Sequence, residues 1–382
     1  MKVLHVLKTS VGAAWAFRQI KVLKDIGVEV EVVLPEDSCF AARYRKIGVP
    51  VHILLLDIAR LARVPWYLPR VLIRLRRLVV NGGFDIVHSH FVGTTLTCRL
   101  ALRGTRARRV FQVPGPLHLE KFTTRFLEVL SAGNNDFWLA SCRATGDIYR
   151  KVGIPSHRLG LAYYGLDFDG VTATAPIDLR AELCLPPSTY LIGMVAYFYA
   201  PKRWLGQRRG LKGHEDLIDA AAILRNRAQD VVVVFVGGPW AGADSYERIV
   251  RQYADTHLGS AVRFLGHRSD VHAIYPNFDV AVHPSLSENV GGAVESLAAA
   301  VPTVASAVGG LPDVVIDGET GWLAPKANPS ALAEAIGTAL ANPAEARRRA
   351  EAGRDLVQTL LDVRRNGEDV AEFYRHVLST SG

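Results

Sequence analysis

The chain has 382 residues, of which 49% are hydrophobic, and carries a formal net charge of +8. This length suits two domains of roughly 150–200 residues each, and the composition is sufficient for two packed cores. No apolar run reaches the roughly 18 residues of a membrane span. The four cysteines form no C-x-x-C pair, which argues against a disulfide framework and a zinc knuckle.

The first half of the chain predicts a parallel α/β sheet. Six apolar runs predict buried strands, in the order KVLHVLK, VEVEVVLP, VHILLLD, DIVHSH, RRVFQV and FWLAS. Helical stretches such as AWAFRQIKVLKDIG and TTLTCRLALRG lie between them, and this alternation is typical of a doubly wound domain. The N-terminal apolar stretch includes Lys8 and predicts a strand, not a signal peptide, so we expect a cytoplasmic protein.

The second half predicts another unit of the same type. Its predicted strands are YLIGMVAYF, DVVVVFVGG, VRFLG, FDVAVHP and TVAS, and its helices include HEDLIDAAAILRNR, ADSYERIVRQYADTH and AVESLAAA. The proline-containing stretch LDFDGVTATAPIDLRAELCLPPST, before the second series of strands, predicts a linker. We therefore expect a first domain over 1–168, joined by a C-terminal helix at about 366–382, and a second over 169–365.

Positive charge is concentrated in the segment 58–80. It contains six arginines among Leu, Ile and Val, together with Trp66 and Tyr67. One interpretation is a surface helix with a solvated arginine face. The other is a patch that rests on anionic lipid headgroups, which would place the protein peripherally on the inner face of a membrane. No nucleic-acid-binding motif accompanies the charge, so we expect no nucleic-acid partner.

Open α/β sheets bind ligands at the carboxyl ends of their strands, but the common nucleotide signatures are missing. The chain has no Walker A motif, and Gly12 is the only glycine in the loop after the first strand. Gly237 and Gly238 end a strand in the second half without the dinucleotide spacing. Nicotinamide binding and ATP hydrolysis are therefore poorly supported.

A long segment of the second half resembles the donor-binding signature of the family-four retaining glycosyltransferases, also called glycosyl transferases group 1. That segment is SLSENVGGAVESLAAAVPTVASAVGGLPDVVIDGETGWLAP, with a Glu-loop-Glu pattern, a Gly-Gly loop and a D-G-x-x-G turn. GLKGHEDLIDAAAIL, YYGLDF and DIVHSH are similar to further stretches of that family. The resemblance implies a GT-B architecture, in which two Rossmann-like doubly wound domains face one another across a cleft.

The residues of this segment suit a nucleotide diphosphate sugar. A helix that begins near Gly291 and Gly292 presents free amides to a diphosphate, and Asn289 and Val290 lie in the loop before it. Lys212 precedes a second helix and supplies a cation. We expect Glu295 to accept hydrogen bonds from the ribose diol and Glu288 to bind hydroxyls of the transferred sugar.

The sequence departs from the family pattern at two places in the second domain. Six residues, Asn289 to Val294, separate the two glutamates, one fewer than the family has. Tyr197 stands near the position where the family commonly has an arginine that neutralises the diphosphate. Cations of the following insertion are candidates to replace it, and we predict Arg208 among the donor-binding residues; the others are Lys202, Arg203 and Arg209.

In the first domain, the family places a histidine after the fifth strand, near the reacting carbon. Here Gln112 or Val113 occupies that register, and His118 follows a Pro-Gly-Pro turn that can bring it to the same place. We also expect Gly12 to let the first loop approach the donor or the acceptor. His88 and His90 are adjacent candidates for a metal pair but lack further ligands in the sequence.

Together these features predict a hexosyltransferase that moves a sugar from a nucleotide diphosphate sugar to a glycan or lipid-linked glycan acceptor. The resemblance to the family implies that the enzyme is retaining and that UDP is the favoured nucleotide. The catalytic candidates are Glu288, Lys212 and His118; the donor-binding candidates are Glu295, Gly291, Gly292, Asn289, Val290, Gly12, Gly237 and Arg208. We expect no cofactor and no metal, with Asp167 as a hinge residue. Two alternatives remain, a sugar-nucleotide 2-epimerase of the same fold and a non-catalytic glycosyltransferase-like subunit.

Overall fold

The structure is a computed structural model that describes residues 1–10, 13–168, 177–203, 206–240 and 242–380. It divides into two compact units, the first formed by Met1–Asp167 with Leu361–Gly382 and the second by Phe168–Leu360. The chain thus leaves the first unit one residue earlier than the sequence predicted and returns five residues earlier. The return is earlier because the last helix begins at Val363, upstream of its apolar stretch.

The first unit is a seven-stranded parallel sheet with helices on both faces. Its strand order is β3-β2-β1-β4-β5-β6-β7. The strands are β1 Lys2–Val6, β2 Glu29–Leu34, β3 Val51–Ile53, β4 Ile86–His90, β5 Arg108–Gln112, β6 Asp136–Ala140 and β7 Leu159–Leu161. The helices are α1 Ala14–Asp25, α2 Cys39–Lys46, α3 Ile58–Leu61, α4 Leu68–Asn81, α5 Val92–Ala101, α6 Leu117–Glu120, α7 Phe122–Leu130 and α8 Arg143–Lys151.

The second unit is a six-stranded parallel sheet of order β10-β9-β8-β11-β12-β13. The strands are β8 Tyr190–Val195, β9 Val231–Val236, β10 Val262–Phe264, β11 Val280–His283, β12 Thr303–Ser306 and β13 Trp322–Ala324. The helices are α9 Leu179–Glu182, α10 His214–Asn226, α11 Asp244–Leu258, α12 Val271–Ile274, α13 Ala293–Ala298, α14 Leu311–Val314, α15 Pro329–Ala341 and α16 Pro343–Leu360. The final helix, α17 Val363–Ser379, belongs to the first unit.

The sheets follow from the apolar runs of the sequence. Strand β9, VVVVFV, is buried at all six positions, as expected for a central parallel strand covered on both faces. In the first unit, α17 packs on α1, and a side chain at Gly367 would collide with Val22. The predicted α/β class is confirmed for both units.

Strands β7 and β13 and helix α9 are among the elements that the sequence did not predict. Strands β7, LGL, and β13, WLA, have three residues each and contain no β-branched residue. Helix α9 lies inside the predicted linker, where Asp178 caps it and Leu179 is fully buried in the second core. The folded part of the second unit therefore begins before the end of that linker. No helix of the described ranges has both the length and the apolar composition needed to cross a bilayer.

Candidate functional site

A cavity of about 340 Å³ lies at the carboxyl edge of the second sheet. Its walls come from the segments that follow β8, β9, β10 and β11, and Lys212 joins them from the turn before α10. Strands β8 and β11 are neighbours at the point where the strand order reverses, which is where open α/β sheets bind ligands. The volume is within the roughly 300–1,000 Å³ of small-molecule sites.

Gly213 fixes the position of Lys212. It has a positive φ of 75° at the start of α10, and a Cβ atom there would collide with the carbonyl oxygen of Pro284. The turn before α10 is therefore pressed against the end of β11, as only glycine allows. Lys212 is held beside the cavity by this contact, with its Nζ atom 5.8 Å from the centre of the Tyr199 ring.

Glu288 lies behind Lys212 and pairs with it. Its Oε2 atom accepts a hydrogen bond from Lys212 and a longer one, at 3.3 Å, from the Ser285 hydroxyl. Its Oε1 atom accepts from the backbone amide of Asn289 at 3.1 Å. Burial by itself would raise the pKa of Glu288, but the charge and hydrogen bond of Lys212, together with the Asn289 amide and His283, lower it below its usual value. Glu288 is thus a carboxylate that holds the cavity's lysine in place.

The turn Gly291–Gly292 and Glu295 also line the cavity. Gly291 has a φ of 46°, and a Cβ atom there would lie 2.7 Å from the Glu288 side chain, so the turn requires glycine. Beneath it, the Tyr275 hydroxyl donates to the carbonyl oxygen of Gly292 at 3.3 Å. Burial and then the neighbouring Glu295 carboxylate raise the pKa of Tyr275, which locates Glu295 beside that hydroxyl.

Gly237 lies at the end of β9 and also lines the cavity. Its φ is 137°, and a side chain there would collide with the carbonyl oxygen of Ala196. The loops after β8 and β9 therefore approach each other more closely than any larger residue would permit. Ala196 and Gly237 both line the cavity at this close approach.

The loop after β10 supplies a wall that sequence reasoning missed. His267, Arg268 and Ser269 line the cavity, and the His267 ring stacks on Tyr197 with centroids 6.1 Å apart. Arg268 is already paired with Glu182 at 2.7 Å and with Asp270 at 2.6 Å. Lys212 and Arg268 are thus both paired with carboxylates that do not themselves line the cavity.

Several predicted residues lie outside this lining. Asn289 and Val290 are buried below the turn, and the Asn289 Oδ1 atom has no partner among the described residues. Arg208 is exposed and does not line the cavity, while its neighbour Arg209 is paired with Asp216 at 2.6 Å. Gly12 lies outside the described residues, as does Asp169, the partner of Asp167 in a D-x-D pattern.

His118 belongs to the first unit, at the carboxyl side of β5. It lies on α6 with its ring 5.6 Å from that of Phe111. Burial lowers its pKa to about 4, so the imidazole is neutral at pH 7. Its Nε2 atom is buried and finds no hydrogen-bond partner in the described part of the chain. Its catalytic role stays a prediction.

His88 and His90 meet a third histidine, which corrects the expectation that they lack a further ligand. His5 is the register partner of His88 on β1, and the three rings are fully buried. The His88 and His90 rings are stacked at 4.4 Å, so their in-plane lone pairs run side by side and do not converge on one point. Tyr374 and Tyr164 bind the outer nitrogens, His90 Nδ1 lying 2.9 Å from the Tyr164 hydroxyl. We interpret this cluster as a neutral hydrogen-bond network.

A larger depression, of about 750 Å³, lies in the first unit among Met1, Gly27 and Arg375. Met1 and Gly27 precede β1 and β2, so this depression is at the amino edge of the sheet. Ligands of such sheets bind at the opposite edge. The smaller cavity of the second unit is therefore the better candidate.

Comparison with known proteins identifies the chain with one family. Residues 12–165 match the family description "Glycosyl transferase 4-like domain", and residues 204–356 match "Glycosyl transferases group 1". A D-inositol 3-phosphate glycosyltransferase of Corynebacterium urealyticum is 29% identical over 284 residues, which cover 68% of this chain. The matched part spans 64% of that relative's length, less than two thirds of it.

Solved structures share the fold over almost the whole chain. HepE of Anabaena, solved in complex with UDP and glucose, has a TM-score of 0.78 and 21% identity, covering 97% of this chain and 98% of its own. Sucrose-phosphate synthase of Thermosynechococcus elongatus also has a TM-score of 0.78 and 21% identity, covering all of both chains. Each half of the chain forms a parallel doubly wound sheet and matches a glycosyltransferase family description. The chain therefore belongs to the group 1, family-four type of glycosyltransferases and has the two-domain GT-B fold.

Proposed function

We propose that the chain is a retaining hexosyltransferase that moves a sugar from a UDP-sugar to a glycan or lipid-linked glycan acceptor, in polysaccharide or glycoconjugate biosynthesis. The observation that carries the proposal is the cavity in which Lys212, the Gly291–Gly292 turn and Glu295 lie together. UDP is favoured because HepE, which has the same fold, was solved with UDP and glucose.

The diphosphate is bound by Lys212 and by backbone amides. Helix α13 begins at Ala293, directly after the Gly-Gly turn. The Val294 and Glu295 amides already donate to the carbonyl oxygens of Gly291 and Gly292, so the proposed phosphate donors are the amides of the turn itself. A phosphate oxygen between that turn and Lys212 meets donors from both sides. Because negative charge develops on the diphosphate as the bond to the sugar breaks, these groups lower the barrier to transfer.

The two glutamates have different tasks in this proposal. Glu295 lines the cavity and accepts hydrogen bonds from the ribose diol. Glu288 does not line the cavity, and its bonds to Lys212, Ser285 and Asn289 make it first a positioning residue for the lysine. Contact of Glu288 with hydroxyls of the transferred sugar remains part of the proposal, since Lys212 can exchange Glu288 for phosphate when the donor binds.

Retention and the absence of a metal are proposed on the resemblance to the family. Retention needs no protein nucleophile if an oxygen of the leaving diphosphate takes the proton of the acceptor hydroxyl while that hydroxyl attacks the same face of the sugar. Lys212 and the turn amides supply the positive field that a divalent ion provides in other glycosyltransferases. A catalytic role for His118 is likewise proposed on the resemblance to the family.

The test is donor binding by Glu295→Gln, measured by titration calorimetry with UDP. Loss of a charged acceptor to buried hydroxyls should weaken binding by about 1–3 kcal/mol. The matched control is Glu334→Gln, an exposed carboxylate on α15 of the same unit, which should bind as the wild type does. Equal affinity of Glu295→Gln and wild type would remove Glu295 from the ribose.

Product analysis with labelled UDP-sugars then separates the functions. Transfer to an acceptor, or slow hydrolysis without one, supports a glycosyltransferase. Conversion of the donor to its 2-epimer identifies an epimerase instead. UDP binding without any product over a panel of donors and acceptors identifies a non-catalytic subunit.

A further inference from the structure

Helix α7 has the reverse of the usual amphipathic orientation. Its one fully buried residue is the charged Glu128. Its large apolar residues face solvent: Phe122 is 69% exposed, Phe126 50%, Leu127 58% and Leu130 67%. A surface helix of a water-facing protein normally buries its apolar stripe and exposes its charges. An exposed apolar stripe of this size marks a surface with a partner.

A buried ion pair fixes this orientation. Glu128 Oε1 accepts hydrogen bonds from Arg99 on α5 at 2.8 Å and from the Trp138 indole at 2.9 Å. Arg99 also pairs with Asp136 at 3.0 Å, and all of these side chains lie in the interior. Rotation of α7 to bury its phenylalanines would withdraw Glu128 from Arg99 and leave charges unpaired inside the unit. The apolar stripe is therefore held outward.

The stripe continues over the neighbouring helices of the same sheet face. Arg99 joins α5 to α7, and Arg76 joins α4 to α5 by donating to the carbonyl oxygen of Ala101 at 3.2 Å. Nine of the fifteen large hydrophobic residues that are exposed in the described chain belong to this layer. They are Trp66, Tyr67, Ile73, Val80, Leu100, Phe122, Phe126, Leu127 and Leu130. We call these residues, with the arginines of 58–80, the α4–α7 face.

The α4–α7 face is positively charged over a long segment of the sequence. All six arginines of 58–80 are exposed, and the segment 58–84 contains no acidic residue. Lys121 and Arg125 flank the apolar residues of α7 itself, and Glu120 is the acidic residue beside them. Apolar side chains with basic neighbours, and with Trp66 and Tyr67 at one end, are the composition of an interfacial membrane surface.

We propose that the α4–α7 face docks on an anionic lipid surface. The phenylalanine and leucine side chains of α7 enter the boundary between headgroups and acyl chains, and the arginines of α4 contact the negative headgroups. Charge decides against a second copy of this chain as the partner. A two-fold contact through this face would bring its arginines against the same arginines of the other copy. The proposal is independent of the transfer chemistry.

The test compares the binding of the full chain to phosphatidylcholine vesicles with and without phosphatidylglycerol. The variant is Phe126→Ser with Leu127→Ser, and the matched control is Ile249→Ser, which is 59% exposed on α11 of the second unit. We expect wild type and control to sediment with the anionic vesicles and the double variant to lose about tenfold or more in partition. Unchanged melting temperature and circular dichroism show that the double variant is folded.

A second variant tests the charges separately. Arg70→Gln with Arg74→Gln and Arg77→Gln should weaken binding at low salt and flatten its salt dependence, because screening shortens the reach of charges to about 10 Å at 0.1 M salt. The proposal fails if wild type does not bind anionic vesicles, binds neutral ones equally, or binds no better than the double variant. It also fails if light scattering shows a dimer that the double variant abolishes, since the partner would then be a second copy.

Discussion

Replacement of Lys212 by alanine tests whether the cavity lysine and Glu288 form one electrostatic unit. The two side chains are 19% and 15% exposed, so the pair is largely but not fully buried. Removal of one partner from a fully buried pair typically costs about 3–5 kcal/mol. Here Glu288 keeps the Asn289 amide at 3.1 Å and the Ser285 hydroxyl at 3.3 Å as donors. We therefore expect Lys212→Ala to lower the free energy of unfolding by about 2–3 kcal/mol at pH 7.

A second substitution separates the charge effect from loss of packing. In Lys212→Ala the carboxylate of Glu288 is left without its cationic partner. Glu288→Gln removes that charge, while the amide oxygen of the new glutamine can still accept a hydrogen bond from the Asn289 backbone. The double variant should therefore be more stable than the sum of the two single changes predicts, by about 1–2 kcal/mol of coupling. Urea unfolding of wild type, both single variants and the double variant gives the four free energies that define this cycle.

The pH dependence follows from the direction of the pKa shifts. In the folded wild type the pKa of Glu288 lies below its ordinary value of 4.5. The ion pair therefore contributes fully to the free energy of unfolding above pH 4.5, and this contribution is lost as the pH falls through the pKa of the folded state. Without Lys212, burial raises that pKa, and the variant gains stability relative to wild type as Glu288 protonates. The difference between wild type and Lys212→Ala should shrink between pH 7 and pH 4. A coupling below about 0.5 kcal/mol with a constant difference over this range would refute the reasoning.

Two further predictions concern the geometry and the chemistry of the site. Gly213→Ala should lower the free energy of unfolding by about 2–4 kcal/mol, because the new methyl group meets the Pro284 carbonyl at a positive φ. The control is Gly153→Ala, because Gly153 has a φ of 87° and a methyl group there would meet no atom within 4 Å, so only the backbone is strained. Equal losses of unfolding free energy for the two variants, measured by urea unfolding, would contradict the proposed collision. Sugar transfer should persist in excess EDTA; a loss that manganese or magnesium restores would reject metal-independent transfer by Lys212 and the turn amides.

The sheets were predictable because their strands are long apolar runs. The strands that were missed, β7 and β13, lie at the sheet edges and have three residues each. The equally short strands β3, VHI, and β10, VRF, were predicted because they contain β-branched residues, which β7 and β13 lack. The linker prediction extended too far because Leu179, an isolated apolar residue in a proline-containing stretch, gives no pattern although it is fully buried.

The site was predictable where its residues are neighbours in sequence. Lys212 and the 288–295 loop carry their own glycine turns, so their local structure follows from the motif. The wall of Tyr197, His267 and Arg268 comes from loops some 70 residues apart, which the sheet order brings together. His5 joins His88 and His90 for the same reason, through the parallel pairing of β1 with β4. Pairing of distant strands leaves no local signal in one sequence.

Helix α7 shows a different limit. Its sequence, FTTRFLEVL, reads as an ordinary amphipathic helix whose apolar side would be expected to face the core. The side that faces inward is decided by the buried charges, because Arg99 pairs with Glu128 of α7 as well as with Asp136. A tertiary ion pair thus overrides the hydrophobic pattern of the helix. That reversal is invisible until α5 and α7 are adjacent.

The shortened loop between the two glutamates need not weaken the site. One residue fewer would pull Glu288 toward the turn, and the structure accommodates this with a left-handed Gly291 that has no Cβ to meet the Glu288 side chain. Glu288 is then close enough to pair with Lys212 while Glu295 still reaches the cavity. The loop therefore keeps a lysine paired with a carboxylate at a glycine-lined cavity. The shortened loop is therefore compatible with donor binding, and product formation is the measurement that separates an enzyme from a non-catalytic subunit.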